Sequence, residues 1–222
     1  MGKQQAAIFS NDTVDFLRDL KANNDRAWFN ANKARYERAL KQPAEIFCDE
    51  IATRLKRLTG TAHAAKIFRI HRDVRFSKDK TPYSAHLHVS FIPETGQPSP
   101  PAWMVGVDPQ RVAIGVGCFA FDKPGLEAFR HAVDGKDGAR LSKLIARLRD
   151  DGVRVGEPEL KRVPAPFAGD HPRGNLLRSK GLSAWVDIED SYAVSQPDFV
   201  ARCQTEFKRL KPLYSWLVSL AF

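Results

Sequence analysis

Sulfur is scarce in this sequence, which contains three cysteines and two methionines among 222 residues. Cys48, Cys118 and Cys203 are far apart, and none belongs to a C-x-x-C pair. An odd number of isolated thiols argues against a disulfide framework and is typical of a protein from a reducing compartment. Each cysteine has apolar neighbours, so we expect buried, unreactive thiols in a cytoplasmic protein.

Long apolar runs and the signature loops of common enzymes are also missing. The apolar tail of the chain, residues 216–222, is far shorter than the roughly 20 residues of a membrane-spanning helix, so we expect no membrane association. The sequence has no Walker A loop, no G-x-S-x-G elbow and no H-E-x-x-H motif. Gly115-Val116-Gly117 lies in a strand-like run with no helix behind it, where glycines typically mark a close approach of two backbones.

Acidic residues are outnumbered, with 26 Asp and Glu against 35 Lys and Arg, a net charge of +9 and a sequence pI of about 9.6. This balance favours anionic partners, such as phosphorylated metabolites or nucleic acid. The length suits one well-buried domain, and no change in composition marks a boundary. We therefore expect a single domain over residues 1–222. The sequence does not indicate an oligomeric state.

Hydrophobic periodicity predicts helices at both ends of the chain and strands in the middle. The predicted helices lie within residues 10–22, 26–40, 43–59, 125–133, 139–148, 197–210 and 212–220. The predicted strands form one hairpin of residues 68–76 and 85–91, a second of residues 103–107 and 112–119, and further strands at 153–155 and 182–188. This order predicts an α+β fold, in which N-terminal helices precede a central antiparallel sheet built from two hairpins and C-terminal helices pack on one face.

The stretch from Phe68 to Phe91 concentrates the polar chemistry of the chain. Its strand-like alternation places Arg69, His71, Asp73, Arg75, His86 and His88 on one face of the predicted hairpin. Residues 66–80 carry six Lys and Arg against two Asp, so the cations repel one another unless something neutralises them. Arg72 falls on the apolar face, where an arginine is costly to bury without a carboxylate or an anionic ligand. The pattern predicts an anion site.

The motif R-D-x-R-F-S-K-D-K-T-P-Y, residues 72–83, resembles the signature of an uncharacterised family of bacterial and fungal proteins, classed as a domain of unknown function. The resemblance extends to residues 23–36 near the start of the chain and to residues 160–180 later on. It covers nearly the whole chain and implies family membership, but it implies no particular activity.

Binding of a phosphate-containing anionic small ligand, with or without catalysis, is the first hypothesis for this site. The planar fork of arginine suits phosphate or carboxylate, and lysine adds a point charge. The expected ligand-binding residues are Arg69, Arg72, Arg75, Ser77, Lys78, Lys80, Lys33 and Arg35. The candidates for proton transfer are Asp73, His71, Tyr83 and His86.

Other hypotheses remain open at this point. Nucleic-acid binding or processing would use the basic residues together with Trp28, Tyr36 and Tyr83 as stacking partners. A non-enzymatic interaction protein is a further alternative. His86-x-His88, with a third ligand from the other strand, could hold a metal ion, but its cationic surroundings disfavour this and we expect no metal. The sequence does not indicate whether the protein is an enzyme or which cofactor it uses.

Overall fold

A computed structural model describes residues 6–220 of the chain, so the last two residues of the apolar run at 216–222 lie outside it. The helices are α1 (Asn11–Ala22), α2 (Arg26–Ala31), α3 (Lys33–Tyr36), α4 (Gln42–Thr59), α5 (Lys123–Asp134), α6 (Lys136–Asp150), α7 (Gly174–Leu177) and α8 (Phe199–Val218). The strands are β1 (His63–Ile67), β2 (Leu87–Pro93), β3 (Ala102–Val107), β4 (Val112–Cys118), β5 (Arg154–Val155) and β6 (Leu182–Ile188). They form one antiparallel sheet in the order β1-β2-β3-β4-β6-β5, and the predicted α+β class is confirmed.

The first helices follow the hydrophobic pattern of the sequence. In α1 the residues Val14, Leu17 and Leu20 recur at helical spacing and are fully buried. The helix α4 starts next to Pro43 and ends at Gly60, whose φ of 82° lies in the left-handed region that glycine adopts without strain.

The predicted helix at residues 26–40 is interrupted. It divides into α2, α3 and a π-helical turn, Glu37–Lys41, which leads directly into α4. The break falls at Asn32, whose side-chain amide donates to the Trp28 carbonyl at 2.9 Å. A side chain that bonds a helical carbonyl competes with the helix, and the helix pattern changes at this residue.

The predicted strand at residues 68–76 is wrong. The strand that pairs with β2 is β1, and residues 68–86 form a wide loop held by separate backbone hydrogen bonds and one isolated bridge, between His71 and Tyr83. Asp73 and Asp79 accept hydrogen bonds from backbone N–H groups two residues ahead, and Pro82 has no N–H to donate. These local features prevent a continuous ladder, although the chain still returns antiparallel to itself as expected.

The other predicted strands are close to their observed bounds. The hairpin of β3 and β4 is present, and β6 covers residues 182–188 as expected. The two glycines of β4 allow a close approach: a Cβ at Gly115 would lie 2.5 Å from the Trp185 ring, and one at Gly117 would overlap the Leu182 carbonyl oxygen. The interpretation of Gly115-Val116-Gly117 as a packing feature is confirmed.

The contacts divide the chain into two compact units. The first comprises the chain up to residue 91 with residues 104–114 and 187–205, and the second comprises residues 92–103, 115–186 and the chain from residue 206. In the first unit, Phe47 packs against Phe9 and stacks on Phe199 at centroid distances of 5.4 and 5.5 Å. The single-domain expectation stays a prediction.

The core of the second unit joins the sheet to α8. Trp103 of β3 stacks on Tyr214 at 4.7 Å and meets Phe207 edge-on at 5.1 Å. The expectation that Pro212 begins a separate helix is wrong, because α8 continues through this residue. An internal proline costs about 3 kcal/mol, and the burial of Leu210, Leu213 and other side chains on both sides of it offsets this cost.

The three cysteines are buried, as expected, and none of them is in a disulfide. Burial raises the pKa of both Cys48 and Cys118 to about 12, so neither is a thiolate near neutral pH. Among residues 6–220, no helix combines the length and the apolar character needed to cross a membrane. The cytoplasmic location stays a prediction.

Candidate functional site

A polar groove of about 520 Å³ lies in the first unit. Three segments form its walls: the end of α1, with Lys21 and Asn24 at or just beyond it; the loop that follows β1; and the turn between β3 and β4. The loop contributes Arg72, Tyr83 and His86, which were all predicted from the sequence to be site residues. The groove therefore collects part of the predicted site, together with residues from distant segments.

Arg72 is held by the loop to which it belongs. Its Nη1 lies 2.5 Å from the carboxylate of Asp79 and donates to the carbonyl and hydroxyl oxygens of Thr81. The Asp79 carboxylate also accepts from the backbone N–H and the hydroxyl of Thr81, at 2.9 and 2.8 Å. These hydrogen bonds, first that from the Thr81 N–H, lower the pKa of Asp79 to about 2. The carboxylate that an arginine at position 72 requires is thus supplied by the chain.

Tyr83 forms the floor of the groove and is anchored from two sides. Its backbone N–H donates to the Asn24 side-chain oxygen at 3.0 Å, and the Asn24 amide donates to the Tyr83 carbonyl at 2.9 Å. Its ring stacks on Phe29 at 4.2 Å, and the His71 ring meets it edge-on at 5.1 Å. With only 5% of Tyr83 exposed, this residue acts as a rigid wall.

His86 is the titratable group of the predicted set that lies in the groove next to Arg72. Its Nδ1 is 3.3 Å from the Ser84 hydroxyl. Partial burial of the ring lowers the pKa of His86, and Arg72 acts in the same direction while Asp108 opposes it. His86 is therefore mostly neutral near pH 7, and its imidazole can accept a proton.

The turn between β3 and β4 closes the groove opposite the loop. Asp108 accepts from the backbone N–H groups of Gln110 and Arg111 at 2.7 and 3.0 Å, which fixes the turn. Arg18 of α1 donates to the Pro109 carbonyl at 3.2 Å. The turn is held against α1 by this contact, so its position does not depend on the loop.

The charged residues in the outer part of the loop do not line the groove. Arg75 and Asp73 form a two-pronged ion pair with a shortest distance of 2.7 Å, which lowers the pKa of Asp73. Lys80 donates to the Val74 carbonyl at 3.0 Å. Arg69, Ser77 and Lys78 belong to the same loop and do not line the groove. Of the predicted ligand-binding residues of this loop, Arg72 therefore lines the groove, and a ligand role for the others stays a prediction.

Arg35 forms ion pairs within the fold and does not line the groove. It bridges two carboxylates of α1, Asp12 at 2.6 Å and Asp19 at 2.7 Å, and these contacts raise its pKa. Lys33, on the same short helix, is exposed. Neither residue lines the groove, and a ligand role for either stays a prediction.

The groove is also lined by residues that the sequence did not predict as site residues, among them Lys21, Asn24 and Gln110. Asn24 did lie within the stretch that resembles the family, and that resemblance was the one signal for it. Nothing in the local pattern of Lys21 or Gln110 distinguishes either from other exposed polar residues.

The hypothetical metal site is not formed. The rings of His86 and His88 are 6.4 Å apart, and the His88 ring instead stacks on Phe68 at 4.6 Å. Within residues 6–220, no three His, Cys, Asp or Glu side chains converge in a way that could hold a metal ion.

The fold and the site define the class of protein. It is an α+β protein with a polar groove that is built partly from the R-D-x-R-F-S-K-D-K-T-P-Y loop. Residues 12–216 match the model of the conserved hypothetical protein family DUF2461, and the chain belongs to this family. No curated protein matches the chain.

Proposed function

We propose that the groove binds a small ligand that carries a phosphate group. The observation that supports this most directly is the placement of Arg72, Lys21 and His86 around one groove of about 520 Å³, a volume that suits a metabolite. Arginine and lysine are the side chains that proteins use most for phosphate, and a neutral imidazole adds a hydrogen-bond donor or acceptor.

Two cations, Lys21 and Arg72, and two carboxylates, Asp79 and Asp108, line the groove. Asp79 is paired with Arg72, and Asp108 lies 3.7 Å from Arg111, which also lies 3.5 Å from Asp187. In the part of the chain that the structure describes, Lys21 has no carboxylate within 4.0 Å and the hydrogen bonds of the Arg72 guanidinium are all made by Nη1. The Lys21 ammonium and the remaining N–H groups of Arg72 are left for a ligand.

His86 is the residue for a proton-transfer step, if the ligand reacts. Its lowered pKa keeps it able to accept a proton near neutrality. Asp73 is committed to Arg75, and the Tyr83 ring is stacked on Phe29. His86 therefore combines a position in the groove with a suitable titration range.

A thermal-shift screen with phosphorylated metabolites, followed by calorimetric titration of those that stabilise the protein, tests the proposal. We expect at least one such ligand, and we expect Lys21→Ala and His86→Ala each to weaken its binding about tenfold, the usual effect of one hydrogen bond to a charged group. Lys56→Ala, an exposed lysine on α4, is the matched control. Equal affinity in wild type and both groove variants would overturn the proposal.

Single-stranded nucleic acid is a second candidate ligand, which one further observation favours. The Phe76 side chain at the tip of the loop is 95% exposed, and the Arg75 guanidinium lies 5.9 Å from its ring centre. Exposed Lys78 follows two residues later. An exposed aromatic ring among cations is the arrangement on which unpaired bases stack while lysine and arginine contact phosphates.

Fluorescence anisotropy with labelled single-stranded oligonucleotides at low and moderate salt separates the two candidates. Under the nucleic-acid hypothesis, binding is salt-sensitive and weakens strongly in Phe76→Ala/Lys78→Ala but not in His86→Ala. Under the small-ligand hypothesis, the loop-tip double variant binds the metabolite as wild type does. Arg57→Ala, which removes an exposed charge on α4, controls for net charge.

A further inference from the structure

A second polar cavity, of about 560 Å³, lies in the second unit and shares no lining residue with the proposed groove. It is bounded by the irregular segment before α7 and by α7 itself. Lys161, Arg162 and Arg178 line it together with His171 and Asn175, and Asp170 is the one acidic residue of the lining. The cavity therefore brings three cations together around one space.

These cations differ from most other well-placed arginines of the chain. Arg35, Arg72 and Arg75 each lie within 2.7 Å of a carboxylate oxygen. In contrast, across residues 6–220 no carboxylate lies within 4.0 Å of the side-chain nitrogens of Lys161, Arg162 or Arg178. Three cations and one carboxylate line the cavity, so like charges remain in excess there and a bound anion reduces their mutual repulsion.

The side chain of Arg178 is held in place by its neighbours. Arg178 donates from Nη2 to the Asn175 side-chain oxygen at 2.5 Å and from Nη1 to the Lys161 carbonyl at 3.4 Å. These bonds fix the guanidinium and tie the segment that carries Lys161 to α7. A cation that is already ordered loses little entropy when a ligand binds.

His171 forms a fixed wall of the same cavity. Its Nδ1 accepts the Arg173 backbone N–H at 3.0 Å, so this nitrogen carries no proton. Its Nε2 lies 3.1 Å from the Asp134 carboxylate and donates to it. Both ring nitrogens are thus occupied, and the cations remain the groups that contact a ligand.

We propose that this cavity is a separate binding site for a small phosphorylated molecule, with Lys161, Arg162 and Arg178 contacting its phosphate group. The two arginines supply planar N–H forks and the lysine a point charge, the combination suited to a phosphate monoester. The volume of the cavity accommodates a ligand the size of a nucleotide. This proposal does not depend on the groove of the first unit.

Calorimetric titration of the full chain with adenosine monophosphate, inorganic phosphate and uncharged adenosine tests the proposal. We expect the two phosphates to bind and to compete with each other, and adenosine not to bind. Lys161→Ala and Arg162→Ala remove exposed side chains, and we expect each to weaken binding about tenfold and the double variant about a hundredfold. Arg178→Lys keeps the charge but loses the fork, and we expect it to weaken binding as well.

Three controls identify the site that is responsible. Lys143→Ala removes an exposed charge of α6 outside the cavity and is expected to bind as wild type does. Lys56→Ala and Arg57→Ala, which remove exposed side chains of α4 that line neither site, are also expected to leave this binding unchanged. The proposal is overturned if wild type binds neither phosphate at low salt, or if the groove variants abolish binding that the Lys161→Ala/Arg162→Ala variant retains.

Discussion

Arg72 and Asp79 close the basic loop onto itself, with 2.5 Å between the guanidinium Nη1 and the carboxylate oxygen. They are separated by a segment that includes exposed Arg75, Phe76 and Lys78, and the Asp79 carboxylate is further held by Thr81. The R-D-x-R-F-S-K-D-K-T-P-Y motif thus contains both halves of an internal clasp, its first arginine and its second aspartate.

Removal of this clasp should loosen the loop. We expect Asp79→Ala to raise the rate of tryptic cleavage after Lys78 and Lys80 several-fold, because Arg72 and Thr81 lose their shared acceptor. Cleavage products are quantified by mass spectrometry under native conditions. Asp73→Ala removes the more exposed pair with Arg75 and should have a smaller effect. Equal rates in the two variants would contradict the assignment of the clasp to Asp79.

Replacement of Arg35 should affect stability and not ligand binding. Arg35→Ala leaves Asp12 and Asp19 without their shared partner, and we expect a loss of about 1 kcal/mol in the free energy of unfolding, since the pairs are only partly buried. Urea denaturation measures it, with exposed Lys33→Ala as the control. If Arg35→Ala instead abolished binding of the groove ligand at unchanged stability, the structural role would be wrong.

A single methyl group at Gly117 should be severely destabilising. The φ of Gly117 is 145°, and a Cβ there would overlap the Leu182 carbonyl oxygen on the neighbouring strand. We expect Gly117→Ala to cost about 3 kcal/mol or more. Gly106→Ala in β3 is the matched control, because the nearest atom to its new Cβ, the Leu87 carbonyl oxygen, lies at 3.9 Å. Similar unfolding midpoints for the two variants would refute this account of β4.

The stability of the fold should fall in mildly acidic solution. Burial lowers the pKa of His86 and of His88 below the ordinary value of 6.5. The unfolded chain therefore binds protons that the folded chain does not, and folding weakens as the pH drops through 6.5 towards the lowered values.

Denaturation at about pH 7.5 and about pH 5 measures this effect. At both pH values the stabilising contribution of Asp79 is still present, because it is lost only below the ordinary aspartate pKa of 3.8. We expect a lower free energy of unfolding at the acidic value, and a smaller difference between the two in His88→Gln. Titration of the imidazole proton resonances provides an independent check. Titration midpoints at or above 6.5 for both histidines would contradict the expected loss of stability in acid.

Part of the fold was predictable because the signals are local. The buried face of α1, the end of α4 at Gly60 and the bounds of β6 follow from hydrophobic period and glycine chemistry. The loop conformation of residues 68–76 was not predictable in this way. Apolar and polar residues do alternate there, and the alternation predicted a strand. The backbone is instead determined by local side-chain hydrogen bonds and by Pro82, and Phe76 is 95% exposed.

The candidate site was predictable to a similar degree. A density of cations together with the unfavourable position of Arg72 pointed to the loop, and Arg72, Tyr83 and His86 of that loop line the groove. Which cations are neutralised could not be inferred, because Asp73 and Asp79 have equivalent positions relative to the arginines until the loop is folded. Lys21 and Gln110 reach the groove from segments that no sequence pattern connects to it.

By itself, the sequence determined the α+β class, the family, and the concentration of positive charge in one loop, since these depend on periodicity, composition and contiguous motifs. Only the tertiary structure decided that Arg72 is satisfied by Asp79, that Asn24 anchors Tyr83, and that Lys161, Arg162 and Arg178 surround a second cavity. The physical reason is that hydrogen bonds and ion pairs act over a few ångströms in space. The residues that form them can be far apart along the chain, and a local sequence pattern does not show which of them meet.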